Sequence, residues 1–120
     1  MGQGGRMTEN PKTVATTYFS AWKAKDFEAL RSLLADDATF RGPLGTANGA
    51  EECVQGLRGM AEMIIDIVIQ KIFVDGSDVL TWYDLHTTKA DPVPTANWSH
   101  LENGKITTIQ ATFDARPLAG

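Results

Sequence analysis

Ile64-Ile65-Asp66-Ile67-Val68-Ile69-Gln70-Lys71-Ile72-Phe73-Val74, then Asp75-Gly76, then Val79-Leu80-Thr81-Trp82-Tyr83-Asp84-Leu85-His86-Thr87-Thr88, is the stretch on which the fold turns. Both runs are rich in β-branched and aromatic residues and alternate with a period of two, and an Asp-Gly pair between such runs favours a tight turn. The spacing therefore predicts a β-hairpin. Its most apolar part, Met63 to Ile69, is too short to span a bilayer and carries Asp66 at its centre, so it reads as a core strand. Downstream, Lys89 to Pro94 holds two prolines and interrupts the sheet. A second hairpin follows, with strands Thr95–Glu102 and Lys105–Asp114 around an Asn103-Gly104 turn.

Upstream of the hairpin the period is helical. Asn10 before Pro11 reads as an N-cap with proline at the first helical position, where a missing N–H costs nothing. Val14, Tyr18 and Trp22, flanked by Ala15 and Phe19, mark the buried stripe of that helix, which ends near Lys25. Asp26 caps a second helix whose inward face is Phe27, Leu30, Leu33 and Leu34, closed by Ala35. Ala38–Arg41 is a short strand, stopped by Gly42-Pro43-Leu44-Gly45, and a loop follows. Residues 49–62 place Cys53, Val54, Leu57, Met60 and Ala61 at helical spacing, although Gly56 and Gly59 each weaken a helix by about 1 kcal/mol relative to alanine.

The predicted order is α-α-β-α-β-β-β-β, an α+β fold in which a curved antiparallel sheet wraps on three N-terminal helices. The helices cover one sheet face. The other still shows Trp82, Trp98 and several isoleucines, and a symmetric homodimer is the economical way to hide them.

With 120 residues and 42% hydrophobic content, the chain suits one domain over residues 10–116, with a Gly-rich, polar, disordered lead-in at 1–9 and a tail at 117–120. The lead-in lacks the apolar segment of a secretion signal, and Met7 is an alternative start. Fifteen acidic against eleven basic side chains give a net charge of −4, which speaks against nucleic acid as a partner. One cysteine allows no intrachain disulfide and no thiolate cluster, so a reducing, cytoplasmic location is the simple expectation. The two histidines have no HxH or HExxH spacing, and the glycines of 42–49 lack the lysine of a phosphate loop. Neither a metal nor a cofactor is expected.

The run Tyr18-Phe19-Ser20-Ala21-Trp22-Lys23-Ala24-Lys25-Asp26-Phe27-Glu28-Ala29-Leu30, continued by Leu34-Ala35-Asp36-Asp37-Ala38-Thr39-Phe40 and Gly42-Pro43-Leu44-Gly45, resembles the opening of the nuclear transport factor 2-like superfamily. The closing Asn103-Gly104-Lys105-Ile106 strand pair resembles it too. The resemblance implies a cone-shaped fold with a pocket, hosting ketosteroid isomerases, limonene epoxide hydrolases, SnoaL-like polyketide cyclases, dehydratases and proteins without chemistry. Isomerases of that type pair an Asp base with a Tyr and a protonated Asp that hold an oxyanion. The resemblance puts Tyr18 at the tyrosine, Asn97 at the second acid and Gly42 at the base. Asn97 still offers a hydrogen bond, but a glycine carries no proton. For an epoxide hydrolase, the positions of the Asp-Arg-Asp set hold Tyr83, Leu85 and Ala111.

The implied reading is a SnoaL-like homodimer that binds a small apolar or aromatic metabolite, with room for an acid–base step such as isomerisation, cyclisation or dehydration. Tyr18 and Asn97 would act on a ligand oxygen, and Trp22, Phe40, Tyr83 and Phe113 would line the pocket with them. The alternative is a non-catalytic binding or dimerisation module with a vestigial pocket. Strand alternation puts Asp84 and His86 on one face, where they form a weaker orienter–base candidate, and the resemblance turns that face outward. His100 is expected to face outward as well. Asp66 is expected at the surface or dimer face, and Cys53 in core packing.

Overall fold

The computed structural model describes residues 10–119, so the lead-in expected at 1–9 lies outside the described residues. Asn10 caps α1 (Pro11–Lys23), its Oδ1 accepting from the Lys12 N–H at 2.8 Å. Lys25, at φ 60°, ends the turn after α1, and Asp26 starts α2 (Phe27–Leu33) by accepting from the Ala29 N–H. The chain then enters β1 (Leu34–Gly42) and β2 (Gly45–Asn48), crosses through α3 (Ala50–Ala61), and runs β3 (Ile64–Asp75), β4 (Asp78–Thr87), β5 (Val93–Glu102) and β6 (Lys105–Thr112). A last turn of helix, α4 (Arg116–Ala119), follows the span read from the sequence and buries Leu118.

Six strands form one curved, unclosed sheet in the order β2-β1-β6-β5-β4-β3. All neighbours are antiparallel except β1 and β6, whose parallel pairing brings the first half of the chain onto the last strand. At the β5–β6 turn, Asn103 and Gly104 both take positive φ, 54° and 78°, as a two-residue hairpin with this twist requires.

The fold class expected from the sequence is the one observed, with differences in detail. Leu34 is the first residue of β1 and not the last inward residue of α2, and β1 is nine residues long where four were read. The segment read as a loop after Gly45 is β2, a four-residue edge strand that pairs Phe40 with Ala47 across a Pro43-Leu44 turn. Its pattern is too short to alternate legibly, and pairing to β1 supplies its conformation. Pro94 lies inside β5 and not in the interruption. The outward residues of β3 are Val68, Lys71 and Phe73, opposite Asp84, Trp82 and Leu80, while Ile67, Ile69 and Ile72 face inward. A register shift between Ile69 and Lys71 sets that assignment, so the exposed apolar face contains few of the isoleucines expected there.

α1 packs on β3 and β4, and α3 packs on β1 and β2. They are tied together where the Trp22 indole Nε1 donates to the Leu57 carbonyl at 2.8 Å, a buried bond between residues 35 apart. Both helices lie over the sheet, and a cavity opens between them and it.

Candidate functional site

The cavity has a volume of about 200 Å³. α1 contributes Tyr18 and Trp22, which follow one another by four positions on the buried face of that helix. α3 contributes Cys53 and Leu57 from its buried face, with the exposed Gly56 and the half-buried Met60 beside them. From the sheet come Tyr83 and Leu85 on β4, Asn97 on β5, Ala111 on β6, and Phe40 and Gly42 on β1, with Phe113 just past β6. The burial of β4 alternates residue by residue, which sends Tyr83 and Leu85 into the cavity and Trp82, Asp84 and His86 to the opposite face.

All six residues assigned to a pocket from the sequence, Tyr18, Trp22, Phe40, Tyr83, Asn97 and Phe113, meet at this one cavity. The outward pair does not join them. Asp84 accepts from Gln70 Nε2 at 3.0 Å on the far side of the sheet. His100 is outward too, its Nδ1 2.8 Å from Asp78 Oδ1 and its Nε2 3.4 Å from Glu102 Oε2. Asp66 forms a half-exposed ion pair with Lys23 of α1 at the sheet edge. The lining residues that sequence reasoning did not assign are chiefly those of α3 and the β1–β2 turn. The stripe Cys53, Leu57, Met60 was visible at helical spacing, but a core face and a cavity face have the same period.

The polar groups in this lining are few. Tyr18 is 1% exposed, and its hydroxyl is buried without a hydrogen-bond partner among the described residues. Burial pushes its phenol well above the ordinary range, with Tyr83 and Cys53 adding to the rise, so it remains a neutral donor. Burial likewise raises Tyr83. Asn97 is 2% exposed, and Ser99 Oγ donates to its Oδ1 at 3.3 Å, which engages the acceptor end of the amide and leaves the NH2 as donor. The Trp22 N–H is already given to Leu57. The Cys53 thiol donates to the Ala38 carbonyl at 3.6 Å, and burial, with Glu52 beside it, raises its pKa.

Gly42 has a steric explanation. A Cβ built there would meet the Phe40 ring at 3.0 and 3.3 Å, so the aromatic ring occupies the space a side chain at 42 would need. Phe40 and Gly42 are neighbours on the same side of β1, and the larger residue has filled the gap left by the smaller.

The family model of the SnoaL-like domain matches residues 15–109. The chain belongs to this family. No curated protein matches the SnoaL-like chain by sequence. Among solved structures, an NTF2-like protein of unknown function from Cytophaga hutchinsonii is 28% identical, with a TM-score of 0.82 over 92% of this chain and 96% of that one. A protein from Kribbella flavida is 24% identical, with a TM-score of 0.83 over 88% of each chain. An LEH-like epoxide hydrolase from M. tuberculosis is 21% identical, with a TM-score of 0.75 over 88% of this chain and 83% of that one. The last two likenesses establish the nuclear transport factor 2-like fold alone.

In this SnoaL-like domain, the positions that resemblance assigns to the hydrolase's charged set, Tyr83, Leu85 and Ala111, do face the cavity and are uncharged. Among the described residues, the lining contains no carboxylate, imidazole, lysine or arginine, and no group of three or more His, Cys, Asp or Glu is placed to hold a metal ion. No helix there is long and apolar enough to cross a membrane.

Proposed function

We propose that this SnoaL-like domain binds a small, neutral, apolar or aromatic molecule bearing an acceptor oxygen, held in the cavity between α1, α3 and the sheet. The observation that carries the reading is the Tyr18 hydroxyl, fully buried at an apolar cavity with no partner among the described residues. Buried polar groups are almost always hydrogen-bonded, and an orphan facing a cavity is satisfied by whatever enters. The ligand's oxygen accepts from Tyr18 and from the Asn97 NH2, while Trp22, Phe40, Tyr83 and Phe113 pack on its body. A volume of about 200 Å³ lies below the range of roughly 300–1,000 Å³ of drug-sized pockets and suits one or two rings. An uncharged lining favours an uncharged ligand, since a carboxylate would be desolvated without a counter-ion.

Binding is favoured over turnover. Isomerisation, cyclisation and dehydration all need a group that accepts a proton near neutral pH, and the titratable groups of the lining are two phenols and a thiol whose protonated forms burial favours. The likeness to the LEH-like epoxide hydrolase supports small-molecule recognition by this fold, without carrying its chemistry to this chain. Two further parts of the reading concern the rest of the molecule. The outer face of β3, β4 and β5 joins a second copy into a homodimer, and the single buried thiol suits the reducing cytoplasm.

The test is a thermal-shift titration with 2-acetylnaphthalene, a neutral aryl ketone, on wild type and Tyr18→Phe. Wild type is expected to be stabilised by the ketone, and the variant to bind it about tenfold more weakly, the equivalent of one hydrogen bond. Equal affinity in the two proteins would sink the reading.

A further inference from the structure

The cavity has a buried end and an exposed end. Tyr18, Asn97 and Leu85 lie at the buried one, while Leu44, 48% exposed, and the exposed Gly56 lie at the other, with the half-buried Met60 one turn along α3. Leu44 sits at the tip of the β1–β2 turn, so the rim is framed by that turn on one side and by α3 on the other.

Gly56 is in the interior of α3, where glycine is a poor choice by about 1 kcal/mol. Neither usual reason for a helical glycine applies. Its φ is not in the left-handed region, and a Cβ built on it would meet nothing within 4 Å. Gly59 is equally free of neighbours but does not line the cavity. The two glycines share a helix, a propensity cost and an exposed setting, and only one of them borders the opening.

We propose that Gly56 is the doorway of the cavity: with Leu44 and Met60 it frames the opening through which a neutral ligand of one or two rings passes, oxygen first, to reach Tyr18. The inference rests on the pocket reading above. A side chain at 56 projects into the passage, whereas one at 59 projects into solvent, so access depends on residue 56 while the binding end stays as it is. An apolar lip at Leu44 suits an apolar entrant.

Stopped-flow fluorescence of the full chain tests this, using quenching of Trp22 by 2-acetylnaphthalene and, as a smaller probe, thermal shift with cyclohexanone. Gly56→Leu and Gly59→Leu are compared with wild type, and both are expected to melt higher because leucine favours the helix. Gly56→Leu is expected to slow both association and dissociation of 2-acetylnaphthalene by about tenfold or more, with cyclohexanone binding retained and Gly59→Leu behaving as wild type. Wild-type rates in Gly56→Leu would overturn the doorway and leave the pocket reading standing. Failure of both ketones to bind wild type would overturn the two together.

Discussion

Burying a hydroxyl without a partner costs about 1–3 kcal/mol, because its bonds to water are not replaced. Tyr18→Phe removes that cost along with the oxygen, so the empty variant is expected to be at least as stable as wild type in urea denaturation while binding ketones less well. Loss of stability would point instead to an interaction that the hydroxyl makes within the protein. The position of Tyr18 on the inward face was legible from the Val14, Tyr18, Trp22 spacing, but its lack of a partner among the described residues was not, since that depends on residues as far along the chain as Cys53, Tyr83 and Asn97. His100 gives a second prediction. The Asp78 carboxylate hydrogen-bonded to its ring raises its pKa above the ordinary value, with Glu102 adding to the rise. A histidine whose folded pKa is raised contributes stability that is fully present below about pH 6.5 and is lost as pH rises through the folded value. His100→Gln is therefore expected to lower the urea midpoint at pH 5.5 and to match wild type more closely at pH 9. A pH-independent difference would show that packing, and not the ion pair, is what the ring supplies.

A buried hydrogen bond joins α1 and α3. Trp22 Nε1 donates to the Leu57 carbonyl and so holds the two helices at the separation that leaves the cavity open between them. Trp22→Phe removes the donor and part of the indole, and a loss of about 2 kcal/mol in folding stability is expected from denaturant unfolding. Retained stability would mean the helices are held by apolar packing alone. Helices α1, α2 and α3 were readable because caps and periodicity agree: Asn10 and Asp26 each accept from the backbone two or three residues on, as their sequence positions suggested. β2 was not readable. Of the four residues Gly-Thr-Ala-Asn only Thr46 favours a strand, and they are extended because β1 offers them an edge.

Phe73 (60% exposed), Leu80 and Trp98 (36%) lie in register across the outer face of β3, β4 and β5, and Trp82 (43%) is two residues from Leu80 on the same face of β4, between Lys71 and Ala96. The Trp98 indole N–H is already bonded to Asp78 Oδ1 at 2.8 Å, which leaves its ring free to pack against a partner without an unpaired donor. Under the homodimer reading, Trp82→Glu is expected to halve the mass seen by sedimentation equilibrium while leaving far-UV circular dichroism unchanged. A wild-type chain that sediments as a monomer at micromolar concentration would end that reading. Local pattern was enough to determine the order of elements behind the fold class, the α1 and α2 caps, the turns at Gly76 and Asn103-Gly104, and the alternation of β4, because each follows from residues within a few positions of one another; the family resemblance chose which face of β4 points inward. Tertiary structure alone decided that the inward face encloses a cavity, that the Phe40 ring takes the space beside Gly42, and that Tyr18 has no partner among the described residues. Those three facts arise where α1, α3 and the sheet meet, and the period of a sequence is the same whether the residues it turns inward touch one another or leave a space.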